Sequence, residues 1–401
     1  MAQERDRDAP AKTIRLCTDI REIAAADWDA CAGSDNPFLS HAFLAALEVS
    51  GCTAPRAGWA PHHLLLQDAD GSLLAVVPAY LKGNSFGEYV FDHSWAHAYE
   101  RAGGDYYPKL QVCVPFTPAT GPRLLVRPDQ PYAETVNLLS LGLMEAGRQL
   151  EVSSVHVTFP ERREWELMAE AGFLQRTGEQ FHWENRGYAD FDAFLADLSS
   201  RKRKAIRKER REALADGIEV LRLTGGDLEP EHWDAFYAFY MDTGGRKWGR
   251  PYLNRAFFQQ LHETMADRVM LVMARREGRW IAGALNLIGG TALYGRNWGC
   301  IEHHRFLHFE CCYYQAIDFA IERGLARVEA GAQGEHKLAR GYLPKTTYST
   351  HWIADPGFRQ AVAEFLNQER RHVDQEIAWL SQHSPFRIDP DAAPPPEEEP
   401  E

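Results

Sequence analysis

Two stretches far apart in the chain carry the same succession of apolar and polar positions. LLLQDADGSLLAVVPAYL (64–81) and VMLVMARREGRWIAGALNLI (269–288) are each an apolar block, a polar segment holding Gly71 or Gly278, and a second apolar block. Apolar blocks of this length around a glycine-bearing turn predict β-hairpins. GEYVFDHSWAHAY (87–99) follows the first hairpin and ALYGRNWGCIEHH (292–304) the second. The period then changes to that of a helix. Val136, Leu139 and Leu143 share one face of AETVNLLSLGLMEAGRQL, and Phe309, Cys312, Tyr313, Ala316, Ile317 and Ala320 share one face of HFECCYYQAIDFAIERGL. A short β-branched strand is predicted after each helix, in SSVHVTF (153–159) and ARVEAGA (326–332). The closing segments, AGFLQRTGEQFHWENRGY (171–188) and RGYLPKTTYSTHWIADPGF (340–358), repeat a Gly-aromatic-Leu and a His-Trp element in the same order. The distance from hairpin to His-Trp is longer in the first copy, which places an insertion near 97–125.

This repetition predicts two similar α/β units, 15–190 and 217–380, each a mixed β-sheet flanked by helices. Between them FDAFLADLSSRKRKAIRKERREALADG (191–217) reads as one long basic helix over 191–216, stopped by Gly217, with IEVLRLTGG following as a strand. Leu195, Leu198, Ala205, Ile206, Ala213 and Leu214 form its broken apolar stripe. Residues 1–14 and the Pro- and Glu-rich end 385–401 are expected to be disordered.

Charge changes the picture at one place. The chain carries a formal net charge of -13, yet eight of the eleven residues from Arg201 to Arg211 are Lys or Arg. The overall acidity argues against general nucleic-acid binding, so the basic run is a local feature. Arg203, Arg207 and Arg210 recur along one side of the helix, and so many like charges favour a phosphate-bearing partner over solvent alone. A tRNA acceptor stem, a nucleotide-linked sugar and the phosphates of coenzyme A are the candidates. The seven cysteines (17, 31, 52, 113, 300, 311 and 312) have no C-x-x-C spacing, which argues against a zinc site or disulfide framework. No apolar run approaches the roughly 20 residues of a membrane span, and MAQERDRDAPAK has no signal-peptide character. A cytoplasmic location is expected.

The hairpin–helix–strand unit in two copies resembles the tandem acyltransferase fold of the FemA/FemB/FemX-type aminoacyltransferases, members of the GNAT superfamily. RKRKAIRKERREALADGIEV is similar to that family's basic helix leading into a strand, NPFLSHAFLAALEVSG to its first helix, and TPATGPRLL to its Gly-Pro element. GEYVFDHSWAHAYERAGGDYYPKLQVCVPFTP, GRKWGRPYL, GALNLIGG and VEAGAQGEHKLARGYLP resemble a bacterial subfamily of FemAB-like N-acyltransferases that is often labelled peptidoglycan-related; the similarity runs over about 15–375. The resemblance implies two GNAT-like domains and transfer of an acyl or aminoacyl group, from acyl-CoA or aminoacyl-tRNA as co-substrate, to a small or muropeptide-like amine. No tightly bound cofactor is expected. One departure stands out. Acetyl-CoA-using GNAT proteins carry a Gly-rich pyrophosphate loop at a helix N-terminus, whereas RNWGCIEHHRFLHF and PDQPYAET precede the two helices here. That favours the aminoacyl-tRNA donor. An acetyl-CoA enzyme with a degenerate loop, and a catalytically silent module that binds an anionic ligand or RNA, are the rival readings.

Acyl transfer to an amine needs a base, a stabilised oxyanion and a held donor. VEAGAQGEHKLARGYLPKTTYSTH supplies the densest candidates on a glycine-bearing loop after a strand. Glu335 or His336 would serve as base, Lys337 or Arg340 would hold an anionic donor, and Tyr342 adjoins them; a solvated loop with surface ion pairs is the plain alternative. GGRKWGRPYL places Arg246, Lys247 and Arg250 around Trp248, a set suited to a phosphate with an attached ring. Arg296 and Asn297 of YGRNWG are expected on a strand facing the cleft. In the first copy Asp92 or His93 would contact the acceptor amine. His93 and His97 have helical metal spacing but no third ligand, so no metal is expected. Glu310 is either a functional carboxylate or the ion-pair partner of a basic side chain.

Overall fold

The computed structural model describes residues 12–247, 251–331 and 334–387. Both hairpins form. Glu277 and Gly278 both take positive φ (51° and 75°), the geometry of a two-residue turn matched to strand twist, and join Val269–Arg276 to Arg279–Ile288. In the first copy His63–Gln67 pairs with Leu73–Val77. Pro78 follows and lacks a backbone N–H, and there the chain leaves one sheet and enters another as Ala79–Lys82.

The smaller sheet holds four strands: Thr13–Cys17, His63–Gln67, Leu73–Val77 and Leu125–Val126. The larger holds eleven and runs through both halves. Its order is Ile218–Thr224, Val269–Arg276, Arg279–Ile288, Ala292–Cys300, Arg327–Glu329, Leu174–Glu184, Leu343–Ile353, Ser154–Thr158, Lys109–Val112, Ala79–Lys82, Trp59–Pro61. The closing strands are exchanged. Leu174–Glu184, from the first copy, pairs with Arg327–Glu329 of the second, and Leu343–Ile353, from the second, pairs with Ser154–Thr158 of the first. The two closing strands also pair with each other over nine residues, Leu343↔His182 to His351↔Leu174.

The repeated tryptophans anchor the exchange. Trp183 lies in the core built on Met270, Val272 and Ile317 of the second half, and Trp352 in the core built on Leu64, Val136 and Leu143 of the first. Each half is thus completed by the other's last strand.

Three sequence expectations change in detail. The basic segment is two helices, Phe191–Asp197 and Ser200–Ala213, because Leu198 breaks away to bridge Phe386. Within the second helix Ile206 and Ala213 are buried, whereas Ala205 and Leu214 face solvent. The second-copy helix begins at Leu307 and opens into a π turn over Glu310–Tyr314, which displaces its inner face by one position. Cys311 and Tyr314 are therefore fully buried, while Phe309 and Cys312 sit at the margin.

Trp352→Ala is expected to cost about 3–5 kcal/mol, the usual range for emptying a large aromatic from a core. Although Trp352 belongs to the second copy, hydrogen exchange should accelerate first in Leu64–Val77 and Tyr132–Gln149 of the first. Acceleration confined to the second half would contradict the exchange.

Candidate acyl-transfer site

The site is built where two parallel strands part. Ala292–Cys300 and Arg327–Glu329 pair through three positions only, ending at Tyr294↔Glu329. On the other side a bulge lets Asn286 oppose Gly295 and Leu285 oppose Asn297, leaving Arg296 without a ladder partner. Beyond Gly295 the strands diverge, and a cavity of about 90 Å³ opens between them and the π turn. Its walls include Asn286, Arg296, Asn297, Trp298, Cys312 and Tyr313. Arg296 and Asn297 also line a narrow apolar crevice of about 10 Å³ between the halves, beside Phe38, Phe116 and Phe257.

The polar groups of this cavity are incompletely matched. Asn286 is 1% exposed and donates through Nδ2 to the Met270 and Ala284 carbonyls at 3.3 and 3.4 Å, while its Oδ1 is buried with no partner. An acceptor left free in a closed space is costly unless a ligand donor meets it. Arg296 donates to the Phe116 carbonyl and to Thr117 Oγ1 (3.3 Å). Among the described residues no carboxylate lies within ion-pair reach of it, and burial pulls its guanidinium below the ordinary value.

The charged loop packs against the same wall. Glu335–Arg340 is a short 3-10 turn between Gly334 (φ 114°) and Gly341 (φ 89°). Lys337 is 2% exposed, and its Nζ donates to the Gly331 carbonyl at 2.7 Å. Burial lowers its pKa to about 8, against a smaller upward push from the Cys312 thiol. His336 Nε2 meets the Tyr313 hydroxyl at 2.9 Å. Arg340 does not face the cavity as a free cation. It forms a fork with Glu209 of the basic helix, both Oε1 and Oε2 accepting at 2.9 Å from Nη2, and it lies 3.4 Å above the Phe309 ring. Tyr342 is wholly buried, its hydroxyl donating to the Tyr313 carbonyl at 3.3 Å. The Glu335 side chain lies outside the described residues.

The remaining candidates are elsewhere. Asp92 does meet an amine, but the amine is Lys109 of the same chain. Lys109 Nζ reaches Asp92 and Glu88 (2.7 Å), and the Tyr106 hydroxyl donates to Asp92 at 2.7 Å, all in the interior. Lys109 holds the Asp92 carboxyl well below its usual range, whereas burial raises Glu88 to about 6. His93 is exposed and stacks on Phe91. Arg207 is in an exposed ion pair with Asp192 at 2.7 Å, and Arg203 is half-buried. Arg210 leaves the expected row and turns inward to Glu310 (3.0 Å) and Asp318 (2.7 Å), which makes Glu310 an ion-pair partner. Arg246 is paired with Asp242 at 2.6 Å and borders a separate recess with His303 and His304. Lys247 ends its helix, with its side chain outside the described residues, as are Trp248 and Arg250 entirely.

Asn286 and Glu209 were not singled out by sequence, whereas Tyr313 was read only as part of an apolar helix face and Arg210 as part of an outward basic row. Only Asn286 leaves a signal there, as a lone amide inside the apolar strand IAGALNLI. In the first half the matching strands, Lys109–Val112 and Ser154–Thr158, also run parallel for three pairs. The space beyond is filled by Arg123, fully buried, whose guanidinium donates to the Thr158, Gly121 and Ala119 carbonyls. The open cavity belongs to the second half.

Two mixed α/β units of one pattern, with a cavity where strands of the second unit part, set the fold class of the chain. The chain belongs to the FemAB-like family, described as peptidoglycan biosynthesis/recognition, whose model matches residues 19–388. Among solved structures, FemX is similar with a TM-score of 0.54 at 12% identity, over 85% of this chain and 98% of that one. The C-terminal domain of a putative lysylphosphatidylglycerol synthetase from Agrobacterium fabrum gives 0.53 at 10% identity, covering 86% and 96%. L-PGS from Bacillus licheniformis gives 0.50 at 12% identity, covering 83% and 98%. At these identities the likeness establishes the fold. No curated protein matches the sequence. Among the described residues no helix is long and apolar enough to cross a membrane, and no cluster of metal-ligating side chains is found.

Lys109→Met leaves Asp92 and Glu88 buried without their cation and is expected to destabilise by about 3–5 kcal/mol in urea unfolding. A loss below about 1 kcal/mol would mean that these carboxylates find solvent or another partner.

Proposed function

We propose that the chain transfers an acyl or aminoacyl group from a phosphate-bearing donor to an amine, with the reacting carbonyl in the cavity at the parted strands. The observations that carry this reading are two mismatched polar groups on the cavity wall, Arg296 without a carboxylate among the described residues and Asn286 Oδ1 without a donor, and on the adjoining turn Lys337, whose pKa burial lowers to about 8. A lysine with pKa about 8 is poised to accept a proton near physiological pH. In the proposed step the acceptor nitrogen attacks the donor carbonyl and gives its proton to Lys337. Arg296 and Asn297 face the developing oxyanion. The tetrahedral intermediate collapses as the bond to the leaving oxygen or sulfur breaks, and that atom takes up the proton. No covalent enzyme intermediate is required.

For the donor, the basic helix favours aminoacyl-tRNA over acyl-CoA. Among the described residues Arg201, Lys202, Arg203, Lys204 and Arg211 have no carboxylate partner, and no Gly-rich loop precedes the helix at Leu307. The family description, rather than the cavity, favours a muropeptide-like amine acceptor. Thermal-shift titrations with an aminoacyl-tRNA mixture, acetyl-CoA and a UDP-linked muropeptide precursor separate the donors, since a ligand that binds only the folded state raises its Tm. A stabilisation by tRNA that falls steeply with salt is the expected result, because many phosphate contacts release many counterions. Stabilisation by acetyl-CoA alone would replace this donor.

Lys337→Met should abolish turnover while leaving the protein at least as stable, since a buried lysine without a carboxylate partner costs folding energy. The sign of the pH effect follows from linkage. Because the folded pKa is depressed, the unfolded chain binds more protons between about 8 and the ordinary lysine value, so the wild-type protein gains stability relative to Lys337→Met as pH rises through that window. The rate should rise with a midpoint near pH 8. A flat pH–rate profile, or full activity in the variant, would remove Lys337 from the chemistry.

A further inference from the structure

The turn that carries Lys337 and His336 is bracketed by two glycines with positive φ and closed by main-chain hydrogen bonds from Lys337 to Gly334 and from Tyr342 to Lys337. A side-chain tether reaches back from it to the basic helix. Arg340 Nη1 donates to the His336 carbonyl at 2.6 Å, which closes the turn. Its Nε and Nη2 form the fork with Glu209 at 2.9–3.1 Å. Tyr314, from the π turn, donates its hydroxyl to the same carboxylate, and Phe309 supports the guanidinium from below. The groups come from three elements, the basic helix, the π turn and the charged turn, and the first lies more than a hundred residues from the other two. Arg340 is 6% exposed, and the Glu209 side chain 17%. A bidentate pair this sheltered is geometrically specific, because the guanidinium accepts only a narrow range of carboxylate placements.

We infer that Glu209 is a positioning residue for the acyl-transfer site, holding Lys337 in its closed place through the Arg340 fork. Glu209 touches no part of the cavity; its effect passes through Arg340 to the turn. Among the described residues the charged or ionisable neighbour of Lys337 is the Cys312 thiol, so the amine keeps its low proton affinity only while the turn stays shut. The same helix presents its unpaired cations outward, which ties the anion-facing surface to the site by one side chain on its inner face.

This inference rests on the proposed role of Lys337, and its test is chosen to fail separately. Trace labelling of the full chain with acetic anhydride across pH 6–11, read at Lys337 by mass spectrometry, measures that amine's pKa without any substrate. Wild type is expected to titrate near 8. Glu209→Gln and Arg340→Lys should each raise the midpoint by at least one unit toward the ordinary lysine value of about 10.4, since the turn opens to water. Glu209→Asp, which keeps the charge, should restore part of the shift and guards against a variant that fails to fold. A wild-type midpoint near 8 that stays put in folded Glu209→Gln and Arg340→Lys overturns the positioning role and leaves Lys337 as proposed base. A wild-type midpoint near 10.4 overturns both.

Discussion

The last strand of each repeat is hydrogen-bonded into the other half, and most of what is distinctive about the protein follows from that exchange. Leu174–Glu184 occupies the outer edge of Arg327–Glu329, so this short strand is held between two neighbours and cannot follow Ala292–Cys300 past Tyr294. The gap beyond Gly295 is therefore a framed opening in a continuous sheet. Trp183 and Trp352 make the arrangement reciprocal, each filling the core of the opposite half. A parallel pair with one partner fixed elsewhere is a stable way to keep strands apart, because the backbone groups freed at the gap face a polar cavity instead of apolar core.

Buried charge divides the molecule into two kinds of place. Lys109, Arg210 and Arg340 are each matched by carboxylates, and Arg123 by main-chain carbonyls. Those pairs hold elements together. Arg296 and Lys337 are different: both are cations in the interior whose contacts are neutral carbonyls and a hydroxyl. Burial without a counter-charge disfavours the charged form and persists where chemistry needs it. Arg296 lines the cavity at the parted strands of the second half and Lys337 sits on the adjoining turn, whereas Arg123 is fully buried beside the matching strands of the first.

Much of the architecture was legible because hairpins, helices and the His-Trp element are local signals with fixed periods. The repeat pointed to two similar units, and the strand bearing Arg296 and Asn297 was expected at the cleft, where it lies. Strand exchange was not legible, since pairing between residues as distant as His156 and His351 leaves no trace in one sequence. Partner identity was hidden for the same reason. Arg340 reads as a free cation beside Lys337 until Glu209 is brought to it by folding, and Asp92 reads as a contact for the acceptor amine until Lys109 reaches it. The π turn was also invisible, because one extra residue in a helical turn shifts the buried face from Cys312 to Cys311 without altering composition.

The central claim is that the parted strands receive the donor's reactive end. Hydrogen exchange of the full chain with and without a stable amide-linked analogue of an aminoacyl-tRNA 3′ end tests it directly. Slower exchange confined to Gly295–Trp298, His308–Tyr313 and the Glu335–Arg340 turn is the predicted result. Protection instead around His93–Arg101 and Lys109–Val112 of the first half would contradict it.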